Sequence, residues 1–267
     1  MIVTWLYVPG DRPERFAKAA ASGADAVIID LEDAVAPARK DAALANVLAY
    51  LGDRPEGGPQ IHVRVNDLAG PRGRADLAAL AGAPGLDGVR VPKVESAAGV
   101  PEPGVPVYAL LESAAGLLNA AEIAAHPAVA GVALGEQDLA AELSIADEGA
   151  MEGLRLGVVL AAAAAGLPPV AMSVYPDLKD EEGLVASCVR GRARGMFGRT
   201  ALHPRQVPAI RRGFRPSEEE AARAREIVAA AEASDAGALA LPDGRFVDAP
   251  VLRRARRVLE LRERLAP

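Results

Sequence analysis

Short runs of apolar, β-branched residues alternate with helix-like stretches along most of the chain, and this alternation constrains the fold more than any other feature. Near-continuous apolar runs are typical of parallel strands that helices cover on both faces. The runs that we predict as strands are 3–8, 26–30, 61–65, 88–91, 107–111, 129–134, 170–174 and 195–200. Eight strands in alternation with helices predict an α/β fold, closed as a (β/α)8 TIM barrel.

A doubly wound open sheet is the alternative to a closed barrel. Such sheets usually carry a glycine-rich fingerprint directly after the first strand. Here that turn reads Pro9-Gly10-Asp11, which lacks the fingerprint. The sequence therefore favours the barrel.

The pattern changes after Phe214, and this change predicts two domains, a catalytic barrel over 1–213 and a C-terminal extension over 214–267. Ser217 and Glu220 have the spacing of a capping box that opens a helix. A hairpin is predicted over 238–247, turning at Asp243-Gly244, and a last helix over about 250–265. A segment of this size is too small for a core of its own, so we expect it to pack on the barrel or on a neighbouring subunit.

Composition excludes several classes of protein. A formal net charge of −6 gives no electrostatic basis for binding nucleic acid. The single cysteine, Cys188, allows no internal disulfide and fits a reducing compartment. No signal peptide is recognised, and no apolar run is long enough to cross a membrane. We therefore expect a cytoplasmic protein without a membrane or nucleic-acid partner.

Polar side chains gather where the predicted strands end. In a barrel these carboxyl ends share one face, and that face carries the chemistry. The residues concerned are Asp30, Glu32, Asp33, Arg64, Asn66, Lys93, Glu95, Glu112, Glu136, Asp138 and His203. So many polar residues at one face predict a functional site rather than ordinary loop polarity.

Glu112 and Asp138 are the candidate metal ligands, because they follow neighbouring strands. Two carboxylates without a nearby histidine or cysteine suit a hard cation that keeps waters or substrate oxygens in its shell, so Mg2+ is predicted and Mn2+ is the alternative. Taken singly, each carboxylate could instead cap the helix that follows it.

Arg64 is predicted to point into the barrel together with Asn66, since alternation places His62, Arg64 and Asn66 on one face of the strand. A buried guanidinium needs an anionic partner. A structural carboxylate, Asp30 or Glu32, is one alternative, and a substrate carboxylate held by a two-pronged contact is the other. Lys93 could pair with the same acids.

At these residues the chain resembles the citrate lyase beta-subunit family, which includes malyl-CoA and citramalyl-CoA lyases. The resemblance covers nearly the whole chain. The matching segments are 6–10 (LYVPG), 23–35 (GADAVIIDLEDAV), 63–66 (VRVN), 91–95 (VPKVE), 110–123 (LLESAAGLLNAAEI), 135–141 (GEQDLAA), 174–183 (VYPDLKDEEG), 202–206 (LHPRQ) and 247–250 (VDAP).

The resemblance implies a (β/α)8 barrel with Mg2+ on Glu112 and Asp138, and Arg64 on the substrate carboxylate. It also implies that Asp248 reaches the active site of a neighbouring subunit, commonly within a homotrimer. A hexamer is the alternative assembly. From the residues alone, Asp248 would be interpreted as the cap of the helix beginning near Pro250.

The expected reaction is cleavage or formation of a carbon–carbon bond in a 3-hydroxyacyl-CoA thioester of the citryl-, malyl- or citramalyl-CoA class. The small-molecule partners are then an acyl-CoA and a 2-keto or 2-hydroxy acid. Asp248, helped by Asp30 and Glu32, is expected to move the proton, and Lys93 and Glu112 to contact substrate. The alternatives are a metal-dependent aldolase of a free 2-keto acid, an acyl-CoA thioesterase, a subunit of a larger citrate lyase complex, and a pseudoenzyme that binds coenzyme A esters.

Overall fold

The computed structural model describes residues 2–55, 57–234 and 238–266. The chain forms two compact units, Met1–Ile210 and Arg211–Pro267. Their assignment as a catalytic domain and an extension that packs on it or on a neighbouring subunit stays a prediction. No helix among the described residues is both long and apolar enough to cross a membrane.

The first unit is built on one parallel sheet of seven strands, in the order β6-β5-β4-β3-β2-β1-β7. The strands are β1 Thr4–Pro9, β2 Ala26–Asp30, β3 Gln60–Arg64, β4 Gly88–Val91, β5 Val107–Leu111, β6 Val129–Leu134 and β7 Arg199–Ala201. Each pair of neighbouring strands in this sheet is parallel. This curled parallel sheet is consistent with a TIM-barrel-like fold, and the α/β class predicted from the sequence is confirmed.

The predicted strand over 170–174 is not a regular strand among the described residues. Only two isolated parallel bridges form there, Ala171 with Ala133 of β6 and Met172 with Arg199 of β7. The segment nevertheless contacts both ends of the sheet.

The last strand is shorter than the predicted range 195–200. Gly195 and Gly198 have φ angles of 89° and 86°, which belong to the left-handed region rather than to a strand. A Cβ at position 198 would lie 2.7 Å from Cζ3 of Trp5, so the backbone approaches the ring too closely for a side chain. Glycine therefore delays the start of β7 to Arg199.

Helices follow the strands along the first unit. They are α1 Phe16–Ala20, α2 Lys40–Asp53, α3 Pro71–Leu80, α4 Ala114–Leu118, α5 Ala120–Ala124, α6 Glu136–Glu142, α7 Glu148–Ala164, α8 Glu181–Ala193 and α9 Gln206–Phe214, which runs into the second unit. Three single turns of 3-10 helix lie at Pro13–Arg15, Pro37–Arg39 and Ala97–Gly99. The helix predicted over about 115–125 is two short helices, because the chain breaks at Asn119.

The second unit holds α10 Glu218–Glu232, a two-stranded antiparallel hairpin of β8 Leu239–Ala240 and β9 Phe246–Val247, and α11 Ala249–Arg264. The predicted capping box is confirmed, because Ser217 and Glu220 each bond the other's backbone N–H. Arg262 ties α11 to α10 by donating to the Pro216 carbonyl at 2.6 Å and by pairing with Glu218.

Candidate functional site

A cleft of about 460 Å3 opens at the carboxyl ends of the strands. Its charged lining residues are Asp30, Asp33, Arg64, Arg90, Glu112, Glu136 and Asp138. The structure therefore brings together both predicted metal ligands, the predicted substrate arginine, and two of the three acids at the end of β2, Asp30 and Asp33. The remaining predicted residues, Glu32, Lys93 and Asp248, are treated in turn below.

Glu112 follows β5 directly and is only 6% exposed. Its side chain lies against Gly135, where a Cβ would come within 2.6 Å of the Glu112 Cγ atom. Glycine at position 135 is thus a condition for the carboxyl group to enter the cleft. Burial, together with the nearby charges of Glu32 and Asp138, raises the pKa of Glu112 to about 8.

Asp138 lies in the first turn of α6 and is exposed at the mouth of the cleft. The interpretation of either carboxylate as a helix cap is not supported. No side chain caps α6, and the cap of α4 is Ser113, whose hydroxyl accepts from the Gly116 N–H at 3.2 Å. Among the described residues, neither Glu112 nor Asp138 accepts a hydrogen bond.

These two carboxylates fit a hard divalent cation. A buried carboxyl group with a raised pKa, next to a second free carboxylate, is a place where an added positive charge is stabilising. Among the described residues no cluster of three or more His, Cys, Asp or Glu side chains could hold a metal. A two-carboxylate set suits Mg2+, which keeps several waters or substrate oxygens.

Arg64 pairs with Asp30 in the sheet, where the two residues are register partners on β3 and β2. Its Nε and Nη2 atoms donate to the two oxygens of Asp30, both at 2.7 Å. The Asp30 carboxylate is itself fixed by the backbone N–H groups of Glu32 and Ala34, at 2.9 and 3.0 Å. Asp30 is therefore a structural partner of Arg64, as one of the two alternatives from the sequence proposed, and this contact holds the guanidinium in one orientation.

The other Arg64 contacts extend the acidic network. Nη1 lies 2.8 Å from Glu32 Oε2 and donates to Asp33 at 3.2 Å, and the Tyr7 ring centroid is 5.0 Å from Cζ. Burial lowers the pKa of Arg64, but Asp30, Tyr7 and Glu32 offset this effect and raise it overall. Burial raises the pKa of Glu32 to about 7, although Arg64 opposes that change.

The prediction that Asn66 points into the barrel is wrong. Its amide nitrogen donates to Asp76 of α3 at 2.5 Å, its backbone N–H reaches the same oxygen at 3.1 Å, and Lys40 of α2 pairs with its amide oxygen. The strand ends at Arg64, so the alternation that places Arg64 in the cleft does not continue two residues further.

Lys93 does not line the cleft. It is exposed, has a φ angle of 54° and borders a separate groove between α3 and the loop after β4. Among the described residues it forms no ion pair, so the pairing with Asp30 or Glu32 that the sequence allowed is not formed. Its charge still acts on Glu32 and Glu112, whose pKa values it lowers.

Asp248 lies in the second unit and is the N-cap of α11, with its carboxylate accepting from the Val251 N–H at 3.1 Å. The capping interpretation from the sequence is therefore correct for the single chain. A second role in a neighbouring subunit stays a prediction.

Tyr7 and Arg90 line the cleft but were not predicted as site residues from the sequence. Each lies within an apolar strand, where a single polar residue is easily taken as part of the core. The available signal was the inward alternation of β1 and β4, which places both side chains in the barrel interior.

The family of the chain follows from comparison with known proteins. The model of the HpcH/HpaI aldolase/citrate lyase family matches residues 4–102 and 102–204. The chain belongs to this family. The predicted resemblance is thereby confirmed over the whole of the strand-and-helix alternation.

Two proteins and one crystal structure are similar to this chain over nearly its whole length. A (3S)-malyl-CoA thioesterase of Cereibacter sphaeroides is 41% identical, covering 98% of this chain and 94% of its own. An L-malyl-CoA/beta-methylmalyl-CoA lyase of Rhodobacter capsulatus is 32% identical over 94% and 91%. The crystal structure of CitE from Mycobacterium tuberculosis, in complex with magnesium, acetoacetate and coenzyme A, matches with a TM-score of 0.88 and 39% identity over 98% of each chain. The named lyases bear out the predicted enzyme class, and the predicted Mg2+ and coenzyme A are both ligands of that similar structure.

The raised pKa of Glu112 predicts that metal affinity depends on pH. A proton and a metal compete for this carboxylate, so affinity for Mg2+ should rise about tenfold per pH unit below a pKa of about 8. The pKa of Glu112 in the folded protein lies above its ordinary value, so ionisation of Glu112 destabilises the metal-free protein as pH rises toward 8. Mg2+ should therefore raise Tm more at pH 8 than at pH 6. Calorimetric titration with MgCl2 at pH 6, 7 and 8 measures this. An affinity that does not change with pH would contradict the assignment of Glu112.

Proposed function

We propose that this chain is a Mg2+-dependent carbon–carbon lyase or synthase acting on a 3-hydroxyacyl-CoA thioester of the citryl-, malyl- or citramalyl-CoA class. The observation that carries the proposal is the presence of Glu112, Asp138 and Arg64 in one cleft, with both carboxylates lacking protein partners among the described residues. The similar structure with magnesium, acetoacetate and coenzyme A supports the same ligand set.

Glu112 and Asp138 are the residues that would hold the metal, and Mn2+ would suit the same oxygens. When bound, the ion supplies positive charge beside the oxygens of a 2-keto or 2-hydroxy acid. The buried position of Glu112 keeps this charge out of bulk water. Away from bulk water, the positive charge stabilises developing negative charge more strongly.

Arg64 provides the second positive contact, to the carboxylate of the acid. Asp30 occupies Nε and one Nη2 hydrogen, and Nη1 faces Glu32 and Asp33, so the guanidinium is fixed before substrate arrives and keeps its second Nη2 hydrogen to donate. A prearranged arginine loses little conformational freedom on binding. Lys93 and Glu112 are proposed as further substrate contacts, with Lys93 acting at the rim of the site.

Cleavage requires one proton to leave the 3-hydroxyl group and another to reach the new acyl-CoA. As the hydroxyl oxygen becomes a carbonyl, the carbon–carbon bond breaks and its electron pair passes to the thioester enolate, which is then protonated on carbon. We assign these transfers to Asp248 of a neighbouring subunit, helped by Glu32 and Asp30. The pKa of Glu32, about 7, suits a group that both accepts and donates near neutrality. Condensation is the reverse path.

The proposed assembly is a homotrimer, with a hexamer as the larger alternative, in which each extension completes a neighbouring site. We also propose that the first unit closes as a (β/α)8 barrel in which the segment 170–174 takes the position of the eighth strand. The bridges of Ala171 to β6 and Met172 to β7 support this closure.

A thioesterase is the second candidate function, because a (3S)-malyl-CoA thioesterase is 41% identical over nearly the whole chain. In that reaction water releases free coenzyme A from a malyl-CoA-type thioester. An aldolase of free 2-keto acids and a subunit role in a citrate lyase complex are the remaining alternatives.

Product analysis distinguishes these candidates. The purified chain is incubated with citryl-, malyl-, citramalyl- and hydroxymethylglutaryl-CoA, with Mg2+ and with EDTA, and products are resolved by chromatography. A lyase yields a shorter acyl-CoA together with a keto acid, whereas a thioesterase yields free coenzyme A and the intact hydroxy acid. We expect Mg2+-dependent shorter acyl-CoA. Free coenzyme A without any shorter acyl-CoA would support the thioesterase. Turnover of free keto acids alone would support the aldolase.

A further inference from the structure

A second cavity lies at the opposite, amino-terminal ends of the strands and has a volume of about 220 Å3. Its polar lining residues are Trp5, Gln60, Arg90 and Tyr108, and the rest of the described lining is apolar or glycine, with no Asp or Glu. In barrels of this kind the amino-terminal face is not where chemistry takes place. The proposed lyase reaction gives this cavity no role.

Arg90 is the unexplained group in this cavity. It is 3% exposed, yet its side chain forms no hydrogen bond or ion pair with any described residue, and its Nε atom is buried without a partner. Asp30 and Glu32 pair with Arg64 instead. Arg90 thus differs from Arg64, its register partner on β3, in having no carboxylate.

Aromatic rings only partly compensate for this missing partner. The Arg90 Cζ atom lies 5.5 Å from the Trp5 ring and 5.4 Å from the Tyr108 ring. Both rings line the amino-terminal cavity, and Arg90 lies between that cavity and the cleft, since it lines both. Ring faces stabilise a cation but offer poor acceptors for its N–H groups, and an arginine remains charged when buried. Buried N–H donors without acceptors are destabilising.

A second donor without a partner lies in the same cavity. Trp5 Nε1 is buried and has no hydrogen-bond partner. The neighbouring His62 is neutral, because burial and Arg90 lower its pKa to about 3, and its Nε2 atom pairs with Gln60 at 3.1 Å. The cavity therefore combines one cation and one indole N–H with no acidic group among the described residues.

We propose that this cavity binds a small monoanion, of halide or monocarboxylate size, with the Arg90 guanidinium as its charged ligand and the Trp5 indole N–H as a second donor. The volume of about 220 Å3 admits chloride or acetate but not a nucleotide or coenzyme A. The anion supplies the acceptors that Arg90 lacks, and it neutralises a charge that otherwise lies beside Arg64 in the barrel interior. This inference does not depend on the proposed function.

Trp5 is the only tryptophan of the chain and reports on the site directly. Iodide quenches tryptophan fluorescence on contact, and a ring that is 6% exposed is protected from random collisions. In the full chain we expect iodide to quench this fluorescence along a saturable curve. Sodium chloride and sodium acetate should each compete, and the stronger competitor identifies the preferred class of anion.

Arg90→Met is the decisive variant, because it keeps the length of the side chain and removes the charge. We expect its quenching to be linear and at least about tenfold weaker, as loss of a charge-assisted hydrogen bond implies. Arg223→Met, at an exposed surface arginine, is the matched control and should titrate like the wild type. Non-saturable quenching in the wild type, or equal saturation in Arg90→Met, overturns the proposal.

A crystal soaked in iodide provides a second measurement that needs no variant. An anomalous peak beside the Arg90 guanidinium and Trp5 Nε1 supports the site. If Arg90→Met does not fold, this measurement decides the question, and the absence of a peak there at saturating iodide overturns the proposal.

Discussion

Glu112→Gln is expected to lower kcat/KM for the cleaved acyl-CoA by at least about a hundredfold, the scale of losing one strong electrostatic contact to developing charge. The substitution keeps the shape of the side chain and removes the charge that would hold the metal. Because Glu112 is buried and accepts no hydrogen bond from a described residue, the fold should tolerate a neutral group there. Steady-state kinetics at saturating MgCl2, together with calorimetric Mg2+ titration, measure both consequences.

Asp138→Asn should reproduce both losses, since the two carboxylates act on the same ion. Glu122→Gln is the matched control, because Glu122 is an exposed acid in the first turn of α5 and has no place in the cleft. A Glu112→Gln enzyme that binds Mg2+ and turns over like the control would remove the metal assignment.

Arg64→Ala should both abolish turnover and lower the free energy of unfolding by about 3–5 kcal/mol. The loss of stability follows because Asp30, whose side chain is 1% exposed, would remain as a buried charge without its cation. Its two backbone hydrogen bonds, from Glu32 and Ala34, satisfy its oxygens but do not neutralise it. Urea unfolding at constant pH measures the change.

Arg223→Ala is the control for this stability effect. Arg223 pairs with Glu219 one helical turn away, and both side chains are largely exposed. Exposed pairs of this kind contribute less than about 1 kcal/mol. If Arg64→Ala unfolds at the same urea concentration as Arg223→Ala, the ion pair with Asp30 does not stabilise the fold. Arg64→Lys then separates charge from geometry, since lysine cannot reproduce the two-pronged contact.

The strands that hold the site could be predicted from the sequence because their hydrophobic pattern is strong. The ranges of β2, β4, β5 and β6 agree with the predicted runs residue for residue. Each candidate ligand follows such a strand, so placing the strand also placed Glu112 and Asp138. The segment 170–174 was predicted as a full strand, whereas only Ala171 and Met172 form bridges there, and an apolar run alone does not distinguish the two.

Side-chain partners were harder to predict than positions. Periodicity placed Arg64 in the interior but left its partner open, and the register of β2 with β3 decides for Asp30. The same periodicity failed for Asn66, because it was extended past the end of β3, where α3 supplies Asp76 instead. Lys93 lies two residues beyond the end of β4, in a left-handed conformation, and borders the separate groove rather than the cleft.

The Arg90 cavity could not have been found from the sequence. A single arginine in an apolar strand predicts a buried ion pair, and only the three-dimensional arrangement shows that aromatic rings stand where a carboxylate would be expected. Likewise, the cap of α11 by Asp248 was predictable from its spacing, whereas any contact with a neighbouring subunit depends on an assembly that a single chain does not describe.

A crystal structure of the chain with MnCl2 and a keto acid would show whether Glu112 and Asp138 share one metal ion, because Mn2+ is located by its anomalous scattering. We expect one peak in the cleft, within about 2.5 Å of a carboxylate oxygen of Glu112 and of Asp138. The acid's carboxylate should then face the Arg64 guanidinium. A peak bound elsewhere, or an occupied cleft in which either carboxylate points away from the ion, would contradict this assignment.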